Sequence, residues 1–177
     1  AWLLSIEAVR TIEDALSEIR EAADFCRYYT RCATKLVSEN QIEETAGGIF
    51  LCISPWNFPL AIFVGQVVAA LVSGNVVIAK PAEQTPLIAY KVVELFYKSG
   101  VPSSVLNLLL ADGLTTSTLI DSDLQLSGVA FTGSNSTAYK IQTSIANRSD
   151  RVSFIAETGG QNCMVVDSSA LPEQVVD

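Results

Sequence analysis

Between residues 5 and 38, apolar side chains recur every three or four positions: Ile12, Leu16, Ile19, Ala23, Cys26, Tyr29, Ala33 and Leu36. Glu13, Glu18, Arg20 and Lys35 fall on the other face, and no Gly or Pro interrupts the run. This spacing predicts one long amphipathic helix with its aromatic residues in the core. After a polar link, SENQIEETAGG, the rhythm changes. Apolar runs of strand length now alternate with segments of helix length. GIFLCIS precedes 59–73, NVVIAK precedes 86–99, VLNLLLA precedes 114–121 and GVAFT precedes 134–147. RVSFIAE then leads to a further strand-like run, CMVVD.

Near-continuous Ile, Val, Leu and Phe in these runs is the pattern of parallel strands covered on both faces. Strand and helix in alternation predict an α/β fold, a doubly wound, mostly parallel, Rossmann-like sheet with right-handed crossovers. The division expected is a long helix and link over 1–46 and an α/β domain over 47–177. Ligands of such sheets gather beyond the carboxyl ends of the strands. The stretches that follow the runs, SPWNFP, KPAEQTP, ADGLTT, TGSNS and ETGGQ, are all polar or glycine-rich.

Composition narrows the function. The 177 residues suffice for one domain with a substantial core. The hydrophobic fraction of 49% and mean hydropathy of +0.35 are high for a freestanding soluble domain, yet no run approaches the roughly 20 apolar residues of a membrane helix. The excess reads as surface for another domain or subunit, with a homo-oligomer expected. A net charge of −8 with scattered cations argues against nucleic-acid binding. Four cysteines without a C-x-x-C pair, and no histidine, argue against a zinc site. Apolar neighbours predict inert core thiols at Cys26, Cys32, Cys52 and Cys163, and hence a reducing, cytoplasmic setting. The chain opens in a helical pattern without a signal peptide and stops at LPEQVVD, which suggests a piece of a longer polypeptide.

Each candidate motif has two readings. Pro55 and Pro59 hold Asn57 and Phe58 between a strand and a helix. Asn57 is then either a helix cap or an aimed amide donor for an oxyanion. Lys80 and Glu83 lie in a loop before a helix start at Thr85–Pro86, or grip ribose hydroxyls. Gly133 and Ser134 form a simple cap, or a turn whose backbone N–H groups suit a phosphate. A G-x-G-x-x-G fingerprint is absent. Glu157 is a surface residue before a glycine turn, or a carboxylate partly buried at a strand end and suited to general-base work.

Taken together, PWNFP, GN-VV-AKPAEQTP, FTGS and ETGG resemble, in order and spacing, the motifs of the aldehyde dehydrogenase superfamily. The resemblance runs over essentially all 177 residues. REAADFCRYYTRCA, CISPWNFPLAIF, KPAEQTPLIA, GVPSSV and IAETGGQNCMVVDSSALPEQVV are similar to the dehydrogenase part of the bifunctional proline utilisation A proteins. It implies oxidation of L-glutamate 5-semialdehyde, the open form of 1-pyrroline-5-carboxylate, to L-glutamate with NAD, through a covalent thioester. FAD would belong only to a proline dehydrogenase domain outside this chain.

Position by position, the resemblance implies that Asn57 donates its amide to the oxyanion and Phe58 lines the aldehyde passage. Ser54, Pro55 and Trp56 would meet NAD through backbone. Lys80 and Glu83 would hold the adenine ribose, with Gly113 in the turn after the third strand. Gly133 and Ser134 would meet the pyrophosphate. Glu157 would activate water, with Thr158 and Gly159 beside the nicotinamide. Three departures stand out. LADGLTTSTL keeps only Gly113 of a glycine-rich turn, with Ala111 and Ser117 at the flanking positions. The link after the long helix is short for a dimerisation hairpin. The nucleophilic cysteine of a G-Q-x-C motif is absent. Gly160–Gln161–Asn162–Cys163 has the letters, but its glycine belongs to ETGG, so Cys163 is rejected as nucleophile. The chain by itself is therefore expected to be inactive and to require the catalytic domain of the same polypeptide. Two alternatives stand: an aldehyde dehydrogenase of other specificity, and a non-catalytic nucleotide-binding or interaction module.

Overall fold

Five parallel strands carry the fold in a computed structural model that describes residues 1–39, 47–122, 124–159 and 163–176. They are β1 (Ile49–Ile53), β2 (Val76–Lys80), β3 (Leu106–Leu108), β4 (Leu126–Gly133) and β5 (Ser153–Thr158). Their order across the sheet is β3-β2-β1-β4-β5. The chain winds outward from β1 through β2 to β3, then returns to lay β4 and β5 on the other side. The predicted doubly wound α/β sheet is thus the fold observed. Ile53 pairs with Lys80 on one side and Phe131 on the other, and Phe131 pairs with Ala156. One row of residues therefore runs along the carboxyl edge.

Helices cover both faces. Cys52, Val77, Ala79 and Leu106 point to one, where they pack with residues of α1 (Trp2–Glu7), α2 (Ile12–Ser38), α3 (Ala61–Val72) and α4 (Pro86–Lys98). Leu51, Ile53, Val129 and Phe131 point to the other, against Ile120 of α5 (Gly113–Asp121) and Ile141 of α6 (Asn135–Ala146). Alternation of side chains along each strand produces this division. A short α7 (Pro172–Val176) follows. Among the described residues no helix is long and apolar enough to cross a membrane.

Three expectations need correction. The long N-terminal helix is present but starts at Ile12 rather than near residue 5: α1 ends at Glu7 with Ala8 as its C-cap, and α2 is opened by Thr11. Its hydroxyl accepts from Asp14 N at 3.1 Å and donates to the Asp14 carboxylate at 2.7 Å, a closed N-terminal box. Val9, in the turn between the helices, has φ 52°, a left-handed conformation rare for a β-branched residue. The face of α2 that is buried is also different. Ala15, Glu18 and Ala22 are buried, while Ile12, Leu16, Ile19 and Ala23 are exposed. Small residues decide this: alanines, with Gly65 against the Phe25 ring, let α2 and α3 approach closely. A Cβ on Gly65 would lie 3.3 Å from that ring. Finally, 163–167 forms no strand. Met164, Val165 and Val166 are exposed, since an apolar run becomes a strand only where a sheet edge pairs with it. The link expected to hold a reduced hairpin lies, from residue 40 to 46, outside the described residues.

Candidate functional site

The strand order reverses between β1 and β4, so the crevice that such sheets use for ligands opens at the carboxyl ends of these two strands. Four helices begin at this edge, each presenting N–H groups without an intrahelical partner. Three of the four are closed by a carboxylate from elsewhere in the chain. Glu18 Oε1 accepts from Leu60 N (2.8 Å) and Ala61 N (3.1 Å) at the start of α3. Glu7 accepts from Leu87 N (2.7 Å) and Ile88 N (2.8 Å) at the start of α4. Glu83 Oε1 accepts from Gly113 N (3.1 Å) at the start of α5, beside the Asp112 cap on Thr115 N (2.7 Å).

The fourth, α6, is closed among the described residues by the hydroxyl of Ser134, which accepts from Thr137 N at 3.3 Å. Its first turn carries no acidic residue. Gly133 ends β4 immediately before it. A Cβ there would come within 2.6 Å of the Phe131 ring, so a larger residue would require that ring to shift. Thr158 pairs with Gly133 across β4 and β5. Gly159 has φ 72°, which favours glycine, and an added Cβ would lie 3.3 Å from the Asn135 side chain. Gly133 and Ser134 of one motif, and Thr158 and Gly159 of another, therefore meet around one helix N-terminus.

Lys80, Glu83 and Gly113 form a second group. Lys80 ends β2 with its side chain buried, and the loss of solvent lowers its pKa against the opposing pull of Glu83 and Asp112. It lines a groove of about 220 Å³ with Ile53, Gly113, Ser117, Thr137 and Lys140, between α5 and α6. Ile53 and Ile141 give this groove an apolar wall, and hydroxyls and ammonium groups give it a polar one.

The loop from Ser54 to Leu60 forms the third group. Ser54 N donates to Lys80 O at 3.1 Å, and the Ser54 hydroxyl is buried. Pro55 is half-buried, whereas Trp56, Asn57 and Phe58 are exposed. Asn57 does not cap α3, as one reading had it: the helix starts at Ala61, and Glu18, 42 residues earlier, supplies the cap. The Asn57 amide is thereby left uncommitted to the helix.

Glu157, the penultimate residue of β5, is exposed, not partly buried, because β5 is the edge of the sheet and among the described residues is paired on one side alone. It borders a groove of about 410 Å³ lined by Tyr29, Phe50, Gln66, Thr132 and Ile155. The Gln66 amide donates to Ile53 O (3.2 Å) and Thr132 Oγ1 (3.0 Å), fixing α3 to the ends of β1 and β4. The cysteines divide. Cys52 is buried and its thiol is pushed up to about 12 by desolvation, and burial also raises Cys26. Cys163 is exposed, so the core setting expected for it does not hold: the run it opens has left the sheet.

Sequence reasoning missed Arg10, Glu18 and Gln66. Glu18 had a signal, its phase with Ala15 and Ala22. Arg10 and Gln66 had none, since the contacts that tie them to the site edge, Arg10 to the Asn57 carbonyl and Gln66 to Thr132, join positions 47 and 66 residues apart.

Comparison with known proteins agrees with this geometry. The model of the aldehyde dehydrogenase family matches residues 1–177. The bifunctional protein PutA of Klebsiella aerogenes is 49% identical over 98% of this chain. A 1-pyrroline-5-carboxylate dehydrogenase of Geobacillus thermodenitrificans is 36% identical over 96% of it. The chain spans 13% and 36% of those two proteins. Among solved structures, proline utilization A of Bradyrhizobium japonicum superposes with a TM-score of 0.85 at 47% identity, covering 98% of this chain and 19% of that one. A 1-pyrroline-5-carboxylate dehydrogenase from Thermus with bound NAD superposes with a TM-score of 0.80 at 31% identity, over 90% of this chain and 34% of that one. The chain belongs to the aldehyde dehydrogenase family.

Proposed function

We propose that residues 47–177, with 1–46 as the long helix and link of the same domain, are the cofactor-binding part of an NAD-dependent dehydrogenase that oxidises L-glutamate 5-semialdehyde to L-glutamate. The observation that carries this reading is how the helix N-termini at the carboxyl edge are capped. Carboxylates of the chain itself close α3, α4 and α5, whereas among the described residues α6 presents its N-terminus beside Gly133, Ser134 and Gly159 without one. A helix N-terminus free of carboxylate suits a pyrophosphate. The groove holding Lys80, with its apolar wall and hydroxyl lining, suits an adenosine. Lys80 and Glu83 would hold the ribose hydroxyls, and the charge of Glu83 disfavours a 2′-phosphate. When bound, NAD accepts the hydride of the aldehyde carbon.

The residues of this chain then have separate tasks. Asn57 donates its side-chain amide to the oxygen that gains charge when a thiolate adds to the aldehyde carbonyl. That thiol belongs to polypeptide outside residues 1–177. Phe58 gives the aldehyde an apolar approach. After hydride loss leaves a thioester, Glu157 takes a proton from water as the water attacks the acyl carbon, and the thiolate leaves with the electron pair of the carbon–sulfur bond. Thr158 and Gly159 continue from Glu157 to the α6 N-terminus, so base and cofactor site share one strand end. The partners of the chain are this small aldehyde and the catalytic domain of the same polypeptide, for which the exposed β5 edge is a natural seat.

The test is kinetic, on the polypeptide that carries this chain together with the thiol. NADH formation with glutamate semialdehyde should exceed that with simple aliphatic aldehydes of similar length by at least about tenfold in kcat/KM, an additional binding energy of roughly 1.4 kcal/mol. Equal efficiency would reassign the substrate, and lack of NAD reduction with any aldehyde would remove the enzymatic reading.

A further inference from the structure

The loop that carries Asn57 and Phe58 is held from outside the sheet, by two residues of the N-terminal arm. Glu18 is 2% exposed, and its Oε1 binds both N–H groups where the loop becomes α3. Its other oxygen is buried and faces the Arg10 guanidinium, with Nε at 3.7 Å. Arg10 in turn donates through Nη2 to the carbonyl of Asn57 itself. The same guanidinium lies over the Phe58 ring, 4.2 Å from its centroid. Arg10 thus touches both residues of the loop that the proposed chemistry uses, and Glu18 fixes Arg10 and the loop exit together. Val9, which precedes Arg10, sits at φ 52° while 89% exposed. Little packing holds a β-branched residue in that conformation, so the turn that aims Arg10 is held by the contacts Arg10 makes.

We propose that Arg10 and Glu18 are positioning residues that aim the Asn57 amide and the Phe58 ring. This rests on the dehydrogenase reading above for its catalytic half and on geometry alone for its mechanical half. An amide donor stabilises an oxyanion only within a few tenths of an ångström of its place, and small misplacements cost rate steeply. The backbone carbonyl of Asn57 is where that placement can be set without occupying the amide. Arg10 meets it there, and a flexible Lys cannot both reach the carbonyl and cover the ring.

Two measurements on the full polypeptide test the proposal. The first is hydrogen–deuterium exchange of the peptide covering residues 54–61, which is independent of catalysis. E18A should speed exchange at Leu60 and Ala61, and R10M should speed it at Trp56–Phe58, each by about tenfold or more, with β1 unchanged. Unchanged exchange in both variants overturns the proposal. The second is a double-mutant cycle. R10M should lower kcat by about tenfold to a hundredfold while leaving the KM for NAD within about twofold, and R10K should restore part of the loss. In an N57A background R10M should lower kcat by less than about threefold, because the residue acts through Asn57. An equal loss in both backgrounds, or a matching rise in the KM for NAD, overturns the catalytic half. If the unmutated polypeptide reduces no NAD, the dehydrogenase reading fails and exchange alone decides the mechanical half.

Discussion

The Glu83 carboxylate accepts a hydrogen bond from the N–H of Gly113 at 3.1 Å, joining the loop after β2 to the start of α5. Only Oε1 is engaged in that bond, so the second oxygen is available to a ligand hydroxyl. The side chain on which the ribose contact is proposed is therefore already oriented by the chain's own backbone. Nothing lies within 4 Å of a Cβ built on Gly113, so this contact depends on its backbone N–H and not on the lack of a side chain.

E83Q keeps the shape and an acceptor for Gly113 but removes the charge. Binding of NAD should weaken by about tenfold, the loss of one charge-assisted hydrogen bond of roughly 1.5 kcal/mol. Discrimination against NADP should relax at the same time, because the repulsion of a 2′-phosphate is gone. Titration of both cofactors by fluorescence checks this. Unaltered affinity for both would show that Glu83 serves α5 alone.

Val9 offers a stabilising substitution. A left-handed L-residue costs about 1–2 kcal/mol, and glycine removes that while restoring about 0.5–1 kcal/mol of unfolded-chain entropy. V9G should raise stability by up to about 1 kcal/mol, read as a higher urea midpoint at constant m-value. A lower midpoint would mean that Val9 makes contacts that outweigh its strain.

Cys52 gives stability a defined pH dependence. Its thiol ionises near 9.0 in an unfolded chain and only at about 12 in the fold, because burial penalises the thiolate. Above pH 9 the folded state therefore binds more protons than the unfolded one. The stabilising contribution is fully present below pH 9 and is lost as pH rises from 9 toward 12, by up to about 1.4 kcal/mol per pH unit. Urea midpoints of the parent and of C52A between pH 8 and 10.5 isolate it: C52A starts lower and falls less steeply. The same burial predicts that iodoacetamide labels exposed Cys163 well before Cys52.

The sheet was legible because its signal is local. Each buried strand is a short run of β-branched and aromatic residues, and each crossover helix has its own apolar spacing. The motif residues were legible for the same reason: Gly133, Ser134 and Gly159 owe their positions to turns a few residues long. What failed depended on distant parts of the chain. Glu18 looks like a surface charge until α3 arrives with two N–H groups to satisfy. The large apolar residues of α2 look like its core face until close packing against Gly65 selects the alanines instead. CMVVD looks like a strand, yet residues 163–167 pair with none. The T-x-x-D pattern at Thr11 is a local start signal, but the helical pattern runs unbroken on both sides of it.

In the proposed reaction Glu157, near the end of β5, activates the water that releases the acid product, a step that follows hydride transfer. Rapid-mixing measurement of NADH from the full polypeptide carrying E157Q tests it most directly, since a neutral amide cannot take the proton. The prediction is a first turnover of NADH at close to the parent rate, followed by steady-state turnover slowed by about a hundredfold or more. Steady-state turnover at the parent rate, or loss of the first turnover along with the rest, would contradict the assignment.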